Sequence, residues 1–140
     1  MNDLNTHYGL LLGLDDVWDV ENVDLDLEAS RVVIDLKHSG GKLCCPDCEL
    51  ACSKFDNAPM RKWRHLDTMQ FETIVQASVP RCECPHCGVK TTSVPWAGKH
   101  SRFTLMFEAF AIRILQAASN VKRAAEVLGL SWDTTHALME

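Results

Sequence analysis

No uncharged apolar run in this chain of 140 residues approaches the ~20 needed to span a bilayer, because Glu108 and Arg113 interrupt the best candidate. The start, Met1-Asn2-Asp3-Leu4, lacks the basic segment and long apolar core of a secretory signal. Both absences point to a soluble chain in a reducing cytoplasm, where thiols gather around metal more often than they pair as disulfides. An even cysteine count is missing as well, since there are seven. At 140 residues there is room for one domain or two small ones, but not for the cleft of a large enzyme. What is present is ordinary globular material, 46% hydrophobic and 24% charged, which excludes wholesale disorder.

The net charge of −5 is unevenly placed. Residues 1–60 hold 12 acidic and 4 basic side chains, whereas residues 61–140 hold 7 and 10. A polyanion would therefore be handled from Arg61 onward.

Two cysteine hooks organise the chain: Cys45-Pro46-Asp47-Cys48 and Cys84-Pro85-His86-Cys87, the second followed by Gly88. Each puts two thiols three positions apart in a tight turn, where backbone N–H groups can steady the sulfurs. Two hooks supply the four tetrahedral ligands, Cys45, Cys48, Cys84 and Cys87, of one closed structural Zn2+ site. The 35 residues between the hooks exceed a short ribbon and require a substructure of their own. Cys44 could replace Cys45 by a slip of one position, but Cys45 has the better spacing to Cys48. Cys52 and Cys82 are bystanders on this reading. A redox role for either hook would need a thiol at a helix N-terminus, whereas both hooks lie between strand-like segments.

Residues 8–14 are apolar but too short and glycine-broken for a stable helix of their own, so the expectation is a segment docked on the rest. Val23-Asp24-Leu25-Asp26-Leu27 alternates apolar and acidic side chains, and Arg31 to Lys37 is rich in β-branched residues; with Glu28-Ala29-Ser30 between them they read as a hairpin with its acids in water. Residues 53–60 read as loop. Arg61-Lys62-Trp63-Arg64-His65 admits two readings: cations around an aromatic ring for phosphate contact and base stacking, or a strand start with Trp63 in the core. Residues 70–79 alternate again, as a strand leading to the second hook.

After the basic linker 97–102 the period lengthens. Phe103, Phe107, Phe110, Ala111, Ile114, Leu115 and Ala118 form one apolar helical stripe, with Ser101 or Thr104 as cap. Val121 to Glu140 then fits a helix-turn-helix, with Ala124 and Ala125 small where helices approach, Gly129 at the turn and Ser131 capping a second helix. On that reading Trp132, Asp133, Thr134 and His136 face base edges. The second helix lacks Lys and Arg altogether, so affinity must come from Arg61, Lys62, Arg64, Lys99, Arg102, Lys122 and Arg123. The predicted architecture is α+β: a small antiparallel, zinc-ribbon-like domain over residues 1–97, then a helical region over 98–140 with the helix-turn-helix at 121–140.

Leu11-Leu12-Gly13-Leu14, the two hooks, Trp63-Arg64-His65-Leu66-Asp67, Val79-Pro80-Arg81, Val94-Pro95-Trp96-Ala97, Ser101-Arg102-Phe103-Thr104 and Leu128-Gly129-Leu130-Ser131-Trp132 together resemble the N-terminal part of the ISL-three type bacterial insertion-sequence transposases. The resemblance spans essentially the whole chain. It implies a zinc-binding front and a helix-turn-helix tail that recognise the element's terminal inverted repeats, with strand transfer left to a following Asp-Asp-Glu domain. The expectation is thus a DNA-binding portion truncated at Glu140 and without catalysis of its own. Intact transposase or a second copy would be its protein partners, with no membrane involved. The competing expectation is a zinc-stabilised protein-interaction adaptor or regulator.

Overall fold

Period-two alternation writes most of the chain between residues 18 and 91 in the computed structural model, which describes residues 3–118, 120–131, 134–135 and 137. Among the described residues there are eight strands: β1 (Trp18–Asp26), β2 (Arg31–His38), β3 (Leu43–Cys44), β4 (Ala51–Asn57), β5 (Arg61–Thr68), β6 (Phe71–Ala77), β7 (Pro80–Cys84) and β8 (Gly88–Thr91). They form two four-stranded sheets, ordered β1-β2-β6-β5 and β3-β4-β7-β8. The chain passes from one sheet to the other three times, so each sheet combines pieces distant in sequence.

The fold is α+β as expected, with a difference in the sheets. The expected small antiparallel domain is two sheets, and β2 runs parallel to β6. A parallel pair needs a long crossover; the excursion through β3, β4 and β5 provides it. Residues 53–60, expected as loop, fall largely in β4, where Ser53 pairs with Glu83 and Asn57 with Pro80. Few apolar side chains mark this strand, and Phe55 is 52% exposed, so alternation could not reveal it. Cross-strand chemistry holds it instead: Arg81 donates from Nε and a terminal nitrogen to the two carboxylate oxygens of Asp56, which keeps that carboxyl below its usual range.

Residues 8–14 also depart from expectation, because most of them end a helix, α1 (Asp3–Leu12). Tyr8 and Leu12 lie one turn apart and are both buried in the core of the first sheet, and the Tyr8 hydroxyl donates to Thr68 Oγ1 at 2.8 Å. A helix this short is unstable alone and depends on such burial. Gly13, at φ +67°, ends it in the left-handed conformation that glycine tolerates best.

The core of the first sheet gathers Trp18, Val32, Ile34, Trp63, Val75 and Trp96. Trp96 meets Trp18 edge-on at 4.7 Å and Trp63 at 5.2 Å. Of the two readings of residues 61–65, the structure therefore takes the strand with Trp63 in the core, and base stacking by Trp63 is excluded by its 1% exposure.

The edge of β5 positions the helices α2 (Leu105–Ala117) and α3 (Val121–Leu128). Arg64 N donates to Arg102 O at 2.8 Å and Thr104 N to Arg64 O at 2.9 Å, a short parallel bridge that occupies a strand edge otherwise open to pairing. Thr104 then caps α2, its hydroxyl accepting from Phe107 N at 3.2 Å. Phe107, Ala111 and Leu128 form a separate core with Phe103, Ile114 and Leu130 packed on it. Phe110, expected in that stripe, is 44% exposed: α3 covers only part of the stripe, and Phe110 lies beyond it.

His65 joins the first sheet to α2, with Nδ1 2.8 Å from Thr104 Oγ1. Burial lowers its pKa from 6.5 to about 4. The unfolded chain therefore binds the proton more tightly, so this contribution to stability is complete above pH 6.5 and is lost as pH falls toward 4. The expected loss across that window is about 3 kcal/mol. Thermal melts from pH 7.5 to 4 should show it, and the His65→Asn variant should show a flatter profile over the same range; parallel profiles would refute it. Any acid release of metal is common to both proteins and cancels in the comparison.

Candidate functional site

Each hook sits at a hairpin tip, the first between β3 and β4 and the second between β7 and β8. Cys45 N donates to Leu50 O and Glu49 N to Cys45 O, both at 2.9 Å, closing the first turn. The residue after each hook has positive φ: Glu49 at +64° and Gly88 at +82°. The β4–β7 pairing then sets the two tips side by side.

The Sγ atoms of Cys45, Cys48, Cys84 and Cys87 all lie within 4.8 Å of one another, and Cys48 and Cys84 approach to 3.5 Å. Four thiolates around zinc at about 2.3 Å would be about 3.8 Å apart, so the donor set and its spacing fit a closed tetrahedral ion. Cys44 points to solvent, Cys52 Sγ donates to Leu50 O at 3.1 Å, and Cys82 is fully buried. Backbone N–H groups of His86 and Cys87 hold the Cys84 thiol down at about 6, while the neighbouring Cys45 and Cys48 push Cys87 up to about 12.

The expected DNA-contact residues fall into four groups. Arg61 and Arg64 are engaged within the fold. Arg61 donates to Ser101 O at 2.6 Å and lies 4.8 Å over the Trp63 ring. Arg64 donates to Asp67 at 2.9 Å and to Leu128 O at 3.4 Å, and stacks on Phe107. Lys62, Lys99, Arg102, Lys122 and Arg123 are exposed, the last two in the first turn of α3, where the Asn120 side chain accepts from Arg123 N. Thr134 is half-buried and donates its N–H to Ser131 Oγ at 3.1 Å, so Ser131 caps the turn that follows. Trp132, Asp133 and His136 lie outside the described residues. Gly129, at φ +67°, donates to Ala125 O and Glu126 O and closes α3 as the turn requires.

Lys90 and the Asp47 carboxylate, neither with a role in the sequence reading, stand beside Lys99. Lys90 Nζ lies 3.4 Å from Asp47 Oδ2 and Lys99 Nζ 3.8 Å from Asp47 Oδ1, so one carboxylate inside the first hook joins two cations from different segments. No local signal could have found this. It needs β8 paired on β7 and the linker folded back over the hook.

Residues 42–87 match the family described as the zinc-finger of transposase IS204/IS1001/IS1096/IS1165, and residues 92–140 match the helix-turn-helix domain of transposase family ISL3. The chain is 28% identical over 135 residues to the transposase for insertion sequence element IS1557 of Mycobacterium tuberculosis, in strains CDC 1551 / Oshkosh and ATCC 25618 / H37Rv. These matches cover 92% of the chain but only 30% of each relative. No solved structure matches the chain. Among the described residues no helix is long and apolar enough to cross a membrane.

Proposed function

From the premise that this chain belongs to the N-terminal region of the ISL3 transposase family, we propose that it is a DNA-recognition module that binds the terminal inverted repeats of an insertion sequence. One structural Zn2+ held by Cys45, Cys48, Cys84 and Cys87 stabilises it. Strand transfer belongs to carboxylates elsewhere in such proteins, and the chain itself performs no catalysis. The observation that carries this reading is the convergence of four thiols in a segment followed directly by one matching a transposase helix-turn-helix. Lys62, Lys99, Arg102, Lys122 and Arg123 supply exposed positive charge, and Trp132, Asp133, Thr134 and His136 are assigned to base edges. Arg61 and Arg64 act mainly by holding the helices on the sheet.

Purified chain should carry one zinc and retain inverted-repeat duplex, with log K falling against log salt by about 0.9 for each phosphate neutralised. Binding that is absent or indifferent to salt, in protein shown to be folded, would end the proposal. A second reading, as an adaptor for another transposase subunit, draws on one observation: Leu105, Met106, Phe110 and Ile112 leave apolar surface of α2 exposed. Capture of intact transposase that survives nuclease treatment would favour it.

A further inference from the structure

A cavity of about 710 Å³ opens where the first hook, the end of β8 and the 97–100 linker meet. Its walls carry Arg61, Lys90, Lys99 and His100, with the hydroxyl-bearing Thr91 and Ser93 between them. Every other lining residue is uncharged, so none of them is acidic, in a chain whose net charge is −5. Its apolar floor includes Val79, Val94 and Ala97. Cations beside hydroxyl groups and a small apolar floor suit a sugar-phosphate segment better than a free base: ammonium groups neutralise phosphate oxygens, and the floor accepts the deoxyribose. The volume exceeds what one phosphate would fill.

The Asp47 carboxylate adjoins these cations, inside the Cys45-Cys48 turn with its two oxygens toward Lys90 and Lys99. All three side chains are substantially exposed, at 40% for Asp47, 42% for Lys90 and 71% for Lys99. Ion pairs this exposed contribute little to stability, so the carboxylate is readily exchanged for another anion. Its position does matter: it holds two cations from separate segments over the mouth of one cavity.

We propose that this groove grips the sugar-phosphate backbone of DNA, with Lys90 and Lys99 as its phosphate contacts and Asp47 as an internal anion that the phosphate displaces. The inference rests on the DNA-binding reading and adds a contact surface apart from α3 and its following turn. It lies at the junction of the two matched segments, 42–87 and 92–140. A duplex read by the helices would thereby also be held by the zinc-bearing sheet.

The test uses the full zinc-loaded chain and an inverted-repeat duplex, with affinity measured by fluorescence anisotropy over a range of salt. The double variant Lys90→Gln, Lys99→Gln should bind more weakly and lower the salt slope by about 1.8, for two phosphate contacts. Asp47→Asn should bind more tightly than wild type. Zinc content is measured for each variant; where Asp47→Asn loses metal, the lysine pair decides. A double variant with unchanged affinity and slope, against wild type that binds, overturns the groove and leaves the DNA reading standing. Wild type that binds no duplex overturns both. Inorganic phosphate is titrated alone as the remaining arm: saturable binding abolished by the lysine changes, with DNA affinity untouched, would mean a free-anion site and would also overturn the proposal.

Discussion

Replacing Cys84 by serine is expected to release zinc and to unfold the second sheet while the first stays folded. The reason lies in what the second sheet has for a core. Its buried cluster is Leu43 with Cys45, Cys82 and Cys84, flanked by Cys52 and Cys87, so among the described residues Leu43 is the one side chain of that cluster other than cysteine. A core that small cannot offset the conformational entropy of ordering four strands. A structural zinc site, at roughly 10–16 kcal/mol of apparent binding energy, can. Removing one of four thiolates should forfeit several kcal/mol of that, and a strong chelator should forfeit all of it. Elemental analysis reads the metal. Amide exchange reads the sheet: protection in β4 and β7 should collapse, while β2 and β6, packed under the tryptophans, keep theirs. Cys44→Ser, which changes an exposed thiol outside the cluster, should do neither. A Cys84→Ser protein with full protection in β7 would remove zinc from the account of this fold.

Trp63→Ala should be the most damaging single change in the first sheet, at about 3–5 kcal/mol. Trp63 is almost wholly buried, packs edge-on against Trp96 and lies under the Arg61 guanidinium. It also stands next to Arg64, whose backbone carries the bridge to Phe103 and whose side chain reaches Leu128 O. The cavity would thus open beside the attachment of both helices, and their packing should loosen with the sheet. Trp63→Phe should cost far less, because the Trp63 Nε1 has no hydrogen-bond partner among the described residues and its loss strands no acceptor. Urea titration of the three proteins, with metal saturating, gives the ordering. A small effect of Trp63→Ala would mean that the tryptophan cluster is not the centre of this core. Were Trp63 a stacking platform for bases, Trp63→Phe would weaken DNA binding without unfolding the chain; its burial predicts unchanged binding.

Local chemistry was legible where a short stretch carries its own signal. The hairpin of β1 and β2, the cap at Thr104 and the left-handed Gly129 each depend on neighbours within a few residues. α1 was missed because glycine content and shortness argue against a helix until Tyr8 and Leu12 find the sheet. β4 was missed because it is polar, held by ladder bonds and the Asp56–Arg81 pair rather than by apolar alternation. Phe110 shows the opposite error, since helical periodicity says which side chains share a face and not how far a partner covers it.

By itself, then, the sequence determined the spacing of the thiols in two turns, the strand and helix periods on either side of them, and the likeness to one transposase family. Those properties are set over a few residues or by the order of motifs. Tertiary structure alone decided how closely the two hooks, already read as one site, approach, that Trp63 lies inside and Arg64 is engaged with the helices, and that Lys90 and Lys99 flank Asp47 at the mouth of a cavity. Each of these follows from pairing between strands far apart along the chain, whose register no local pattern contains.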